Sequence, residues 1–175
     1  MANWEIDTSH SSVGFSVRHM MFAKVHGSFK QWSATLSLDD QDLAKSSVKT
    51  TIDVASIDTN EPKRDGHLKS ADFFDAEKNP KIVFESKSVK KLDGERLEVL
   101  GELSLHGVTK PVTLAARLEG RGKDPWGGER IAFHASTTID RGDFGLGWNQ
   151  VLEAGGVLVG TKIEIEIEIQ AVKKA

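Results

Sequence analysis

The chain predicts an all-β fold: an antiparallel β-barrel of about eight strands carrying one short helical insert as a lid. Three observations lead there. Apolar and polar residues alternate with a period of two through eight or nine successive runs, as expected of strands with one dry and one wet face. One segment, from Ser56 to Asp75, breaks that pattern. An all-β chain also removes exposed sheet edges by closing on itself, which leaves an interior with two mouths. The insert carries Leu68, Phe73 and Phe74, apolar groups suited to cover one mouth.

Taken in order, Trp4, Ile6 and Thr8 alternate with Glu5 and Asp7, and Val13, Phe15, Val17 and His19 share the next face. From Val25 the apolar parity is odd (Val25, Gly27, Phe29), then even (Trp32, Ala34, Leu36, Leu38). A period of two cannot change face without an extra residue, so a bulge or sharp bend is predicted near Lys30-Gln31. Val48, Thr50, Ile52 and Val54 form another run, and Ile82, Phe84, Ser86 and Ser88 follow the insert. Asp93-Gly94 predicts a type I′ hairpin with both residues at positive φ. Leu97 to Leu105 returns, His106-Gly107 turns, and Val112 to Leu118 leads into a Gly-rich loop over 120–128. The runs Ile131 to Ile139 and Val157 to Ile169 close the set, the latter with Glu164, Glu166 and Glu168 on its wet face. In the insert, Thr59 or Asn60 is expected to cap a helix with Pro62 in its first turn. Gly66 within it serves either a weak, movable lid or close packing on the barrel.

Size and composition narrow the function. The 175 residues fit one domain with a core, read as 1–175. A net charge of −3 with interspersed signs offers no stripe for a phosphate backbone, so no nucleic-acid partner is expected. Absence of cysteine excludes disulfides and thiolate chemistry. No run is long enough to span a bilayer as a helix, so no stable membrane insertion is expected, and the N-terminus has no leader pattern. A cytoplasmic location is the simplest expectation, a periplasmic one the alternative if a leader was removed.

Few residues look catalytic. The six histidines form no HxxxH or HxH pair, so no metal site or other cofactor is assigned. A Ser elbow, a P-loop and a dinucleotide fingerprint are all missing, and no catalytic residue is assigned. Arg64, Asp65 and His67 cluster in the insert, but neighbours on a helix point about 100° apart and cannot all face one substrate. Asp65 or Arg64 is read first as a tie from the insert to nearby backbone. His19 ends an apolar lane, where it either meets a ligand's polar head or is satisfied by backbone. If it holds a headgroup, His19→Ala weakens retention of a polar-headed lipid with the fold intact. Small inward residues (Gly27, Ala34, Gly101, Ala116, Ala135, with Ser86 and Ser88) leave space inside.

Several stretches resemble the YceI-like, polyisoprenoid-binding family: Trp4-Glu5-Ile6-Asp7, Phe15 to Met20, Gly27-Ser28-Phe29, Ser56 to Thr59 and Arg64 to Leu68. Asp72 to Asp75 with Pro80, Gly101 with Gly107 to Val112, and Arg141-Gly142-Asp143-Phe144-Gly145 extend the resemblance over essentially the whole chain. It implies an extended lipocalin-like barrel holding a long-chain isoprenoid, quinone or related lipid in its lumen, and a homodimer is compatible with the family. The ligand-contacting candidates are then Phe15, Val17, His19, Phe22, Phe29, Trp32, Asp65, Leu68, Phe73, Phe74, Phe84, Leu103, Phe133 and Trp148. Release would require the insert or the 141–156 loop to open, the latter rich in glycine (Gly142, Gly145, Gly147, Gly155, Gly156). Two rival classes are an enzyme using a His19–Asp65 pair on a lipid and a protein-interaction adaptor.

Overall fold

The computed structural model describes residues 1–150, 152 and 158–174; Val157, Gly155 and Gly156, placed above in the last strand and the 141–156 loop, lie outside the described residues. The strands are β1 (Ala2–Ile6), β2 (Ser12–His19), β3 (Ala23–Phe29), β4 (Trp32–Leu38), β5 (Ser47–Asp53) and β6 (Ile57–Asp58). After helix α1 (Pro62–Lys69) come β7 (Lys81–Lys91), β8 (Arg96–Leu105), β9 (Val108–Lys123), β10 (Glu129–Asp140) and β11 (Val159–Lys173). Every pairing is antiparallel, in one eleven-stranded sheet.

Six of the eleven strands are halves of three bent ones. β1 and β2 are separated only by a 3-10 turn at Thr8–His10, and both pair with β11. β3 and β4 are separated by Lys30-Gln31 alone, where the change of apolar parity requires a bend. β5 and β6 are separated by a 3-10 turn at Val54–Ser56, which takes Val54 out of the strand predicted for it. The two last breaks lie side by side: Lys30 N–H donates to Ser56 O at 3.1 Å and Asp53 N–H to Gln31 O at 2.9 Å. Each bent pair counts as one long strand, so the ring has eight members and closes where β11 meets β1 and β2.

Local chemistry corrects three sequence expectations. At Asp93-Gly94 only Gly94 has positive φ; Arg96 N–H bonds Asp93 O, so Gly94 and Glu95 are the central residues. A two-residue turn with both central residues left-handed is found instead at His106-Gly107, at φ 52° and 74°, geometry that a two-residue hairpin needs to match strand twist. A register shift between Ser86 and Ser88 turns Ser88 to solvent and brings Val89 inward. Gly120 and Gly122 belong to β9, and the loop shrinks to 124–128, held by Asp124 accepting from Trp126 N–H and Gly128 N–H.

Neither Thr59 nor Asn60 caps α1. Thr59 is engaged with Asp65, and Asn60 sits at φ 65°; Glu61 is the cap, its carboxylate accepting from Arg64 N–H at 2.6 Å, with Pro62 in the first turn. A Cβ on Gly66 would meet nothing within 4 Å, which removes close packing as the reason for this glycine. Gly66→Ala is therefore expected to stabilise the insert by up to about 1 kcal/mol, read as a higher urea midpoint. A lower midpoint would show that the glycine serves a backbone geometry alanine cannot adopt.

The topology gathers the 20–22 hairpin, the insert, the 106–107 turn and residues 144–148 after β10 at one end. The other end is closed by a second core of Trp4, Leu36, Leu38, Ile131 and Ala171. Outside it, Arg130 reaches Asp7 at 3.0 Å and Asp124 at 2.8 Å. Ser9, His10 and Arg130 hold the Asp7 carboxyl far below the usual carboxylate range. A depressed folded pKa adds stability above the unfolded value of about 4, and that stability is lost as pH falls through the folded value. Unfolding stability should thus decline below about pH 4, and Asp7→Asn should flatten the decline; an unchanged acid limb would place the network outside the acid response.

Candidate functional site

The inward faces enclose a cavity of ≈280 Å³ that runs from Ile6, Leu38 and Leu43 at one end to Leu68, Phe73 and Leu146 at the other. Its walls come from every long strand. β11 contributes Ile163, Ile165, Ile167 and Ile169, β8 Leu97, Val99, Leu103 and Leu105, and β10 Phe133, Ala135, Thr137 and Ile139. Polar lining is confined to Ser46, Ser47, Thr50, Thr137 and Arg141, with the indole of Trp32. Arg141 is the one titratable side chain among the described lining residues.

The small residues divide into two groups. Gly27 and Gly101 are not spare volume. A Cβ on Gly27 would fall 2.4 Å from the Phe15 ring, and one on Gly101 would fall 2.5 Å from Glu85 O and 2.6 Å from the Phe84 ring. Those glycines let aromatic rings lie flat across their strands. Ala34, Ala116 and Ala135 do line open space, the last two directly opposed across β9 and β10.

The insert closes one end of the lumen. Leu68, Phe73 and Phe74 line it, and Phe74 meets Phe29 edge-on at 6.3 Å, with Phe29 in turn 5.6 Å from Phe15. Asp65 Oδ1 accepts from both the N–H and the hydroxyl of Thr59, while Arg64 donates to Thr59 Oγ1 at 2.7 Å and Thr59 O at 2.6 Å. Thr59 itself is buried and follows directly on β6. Arg64 and Asp65 thus tie the insert to the barrel.

Of the fourteen sequence-derived candidates, Phe15, Val17, Phe29, Trp32, Leu68, Phe73, Phe74, Phe84, Leu103 and Phe133 line the cavity, and His19, Phe22, Asp65 and Trp148 do not. His19 ends β2 opposite Val159, which lines the cavity while His19 does not. Phe22 is 78% exposed at the tip of the β2–β3 hairpin. Asp65 is spent on Thr59. Trp148 packs outside the lumen on His67 at 4.7 Å and Phe73 at 5.3 Å. The sequence reading missed Arg141, although it follows Thr137 and Ile139 on the same parity.

Arg141 is 4% exposed and sits in a 3-10 turn (Arg141–Phe144) at the insert end. Its Nε donates to Gly160 O at 2.8 Å, Nη1 to Leu146 O and Nη2 to Val159 O at 3.3 Å, and its guanidinium lies 5.9 Å from the Phe73 ring centre. Burial pushes its pKa below the ordinary arginine value. Among the described residues no carboxylate comes within salt-bridge distance of it. There is also no group of three or more metal-ligating side chains among them, and no described helix is long and apolar enough to cross a membrane.

A closed antiparallel ring around an apolar cavity, with a helical insert across one end, defines a lipocalin-like barrel. The chain belongs to the YceI-like family, whose domain matches residues 4–171. It is 44% identical over 147 residues to Protein YceI of Escherichia coli O157:H7, covering 83% of this chain and 76% of that one. The fold superposes on BcnA of Burkholderia cenocepacia with a TM-score of 0.83 at 25% identity, over 95% of this chain and 99% of that one. A domain of Saccharophagus degradans described as polyisoprenoid-binding shares the fold at a TM-score of 0.69 and 17% identity, over 99% of each chain.

Proposed function

We propose that this protein binds and sequesters one long-chain apolar lipid, a polyisoprenoid or similar molecule, in the barrel lumen, and that it is a carrier rather than a catalyst. The observation that carries this reading is the continuous apolar cavity from the Ile6 end to the Leu68–Phe73 end. A tail laid along it gains roughly 0.8 kcal/mol per buried methylene, so chain length supplies affinity without chemistry at the walls. The description of the Saccharophagus degradans domain as polyisoprenoid-binding supports the choice of ligand class. Against catalysis stands the lack of an acid–base pair on the described lining: His19 and Asp65, the pair an enzyme reading needs, both lie off it.

Native mass spectrometry of the freshly purified protein, followed by extraction and identification of what is released, tests the reading. One prenyl, quinone or fatty adduct per chain is expected. An unliganded mass that stays unchanged on adding a long-chain isoprenoid would overturn it.

A further inference from the structure

We propose that the tip of the β2–β3 hairpin, Met20-Met21-Phe22, is a membrane-docking finger that seats the insert end of the barrel on an anionic lipid surface. Met21 and Phe22 are 55% and 78% exposed and Met20 is exposed beside them, so three large apolar side chains stand together in water. Single apolar residues scattered over a surface are ordinary; three at one projecting tip are not. The turn does not require them. Met20 and Met21 both hold left-handed φ, at 53° and 68°, a conformation that glycine or asparagine adopts with less strain than a longer side chain. Turn chemistry alone favours those residues at both positions, so the methionines serve something outside the fold.

Charge decides between a lipid surface and a protein as the occupant. The chain has a net charge of −3, yet no Asp or Glu occurs between Asp7 and Asp39, which makes the hairpin the basic part of an acidic protein. Arg18 and Lys24, both exposed, face each other across it, one residue pair behind His19 and Ala23. Lys24 meets Glu164 at 3.1 Å, and Arg18 makes no salt bridge among the described residues. At about 3.3 Å per residue the two cations lie roughly 7–10 Å behind the tip. An interfacial apolar element enters the headgroup–acyl boundary to about that depth, so tip and cations match the two layers of an anionic bilayer. A protein partner needs a broad face, whereas the apolar surface here is confined to three residues of a turn. Strand addition is opposed as well: β3 pairs with β6 only at Ser28 and Phe29, and Lys24 stands on the stretch left free.

The finger rises from the end that carries the insert. Gly27 of β3 lies against Thr59, and Met20 N–H donates to Leu158 O at 2.7 Å. Docking therefore turns the insert end of the lumen toward the bilayer, and a lipid can pass between the two without crossing water. That consequence rests on the lumen reading; the docking itself does not. A few buried side chains give a reversible attachment with no segment spanning the membrane.

Co-sedimentation of the full chain with vesicles of phosphatidylcholine, and of phosphatidylcholine mixed with phosphatidylglycerol, tests this. Binding to the mixed vesicles should exceed binding to the neutral ones on the order of tenfold. Phe22→Asp should weaken binding to mixed vesicles by roughly tenfold or more, with the melting temperature unchanged. Arg18→Gln combined with Lys24→Gln should remove the preference for mixed vesicles. The chain has no cysteine, so Met21→Cys and Trp126→Cys each provide a single site for an environment-sensitive dye, Trp126 being exposed at the opposite end. On mixed vesicles the dye at the first site should brighten and shift to the blue, and the dye at the second should not change. Failure of the wild type to bind mixed vesicles would overturn the proposal whatever the lumen holds. So would binding that survives Phe22→Asp, or a dye response at Trp126→Cys without one at Met21→Cys. Self-association in sedimentation velocity without vesicles, abolished by Phe22→Asp, would make the tip a contact between copies and overturn it too. The lumen reading stands or falls separately, on the native mass spectra.

Discussion

Replacing Ala135 with phenylalanine is expected to leave the barrel folded and to abolish retention of a long-chain lipid. Ala135 lies on the inward face of β10, opposite Ala116 on β9 and Ile167 on β11, and all three line the cavity. A phenyl ring added there enters open space, so the overpacking cost that accompanies enlargement of a filled core does not arise. For the ligand the ring is an obstacle midway along the tunnel. Excluding only three methylenes forfeits about 2.4 kcal/mol, a loss of affinity on the order of sixtyfold. Ala115→Phe is the control, because Ala115 points outward from the neighbouring position. Adduct occupancy in native mass spectra, with thermal melting as the fold check, gives the comparison. Wild-type occupancy in Ala135→Phe would mean that the lipid is held somewhere other than the lumen.

The barrel was legible because its signal is redundant. Alternation over β10 and β11 assigns Phe133, Ala135, Ile165 and Ile167 to one face without reference to any partner strand, and the parity change at Lys30-Gln31 marks a bend from local residues alone. Where a register irregularity intervened, the same method failed: the bulge at Ser86–Ser88 exchanged Ser88 for Val89 on the inward face. A bulge inserts one residue and is invisible to a count that assumes period two. The glycines show a different limit. Gly27 and Gly101 counted as empty volume because the sequence does not say which ring lies over them, and the rings of Phe15 and Phe84 do. The site was half visible for the same reason. Apolar lining follows from alternation, which put His19 on the lane of Val13, Phe15 and Val17 but could not show that the lining stops at Val17; Phe22 and Trp148 were placed by proximity to strand ends, where alternation carries no information. Arg141 was missed because the run was ended at Ile139 and the charged residue two positions on was read as the start of the 141–156 loop, although its burial is what distinguishes it.

Stability should depend most sharply on Trp4, because it sits at the seam that closes the ring. β1 is held by only three residue pairs on each side, Trp4 facing Lys173 of β11 and Leu36 of β4. The indole is 3% exposed, packed among Leu36, Leu38, Ile131 and Ala171, with Arg121 and Lys173 over its faces at 5.5 and 6.0 Å. Trp4→Ala removes that packing and should cost about 3–5 kcal/mol, since the strands around the void are fixed by their own ladders and cannot collapse into it. For a domain of this size the melting temperature should fall by roughly 6–20 °C. Trp4→Phe separates ring packing from hydrogen bonding. The indole N–H is buried and has no hydrogen-bond partner among the described residues, so the wild type already bears the cost of stranding it, about 1–3 kcal/mol. Phenylalanine gives up some volume and relieves that cost, and its net penalty should be less than half that of alanine. Equal penalties for the two variants would show that the N–H is satisfied after all. A small penalty for alanine would show that the ring stays closed through β2 and β11 alone. The difference decides whether closure is secured by backbone pairing or by one side chain: if β1 detaches, β4 and the end of β11 become open edges, and the lumen loses its wall at the end opposite the insert.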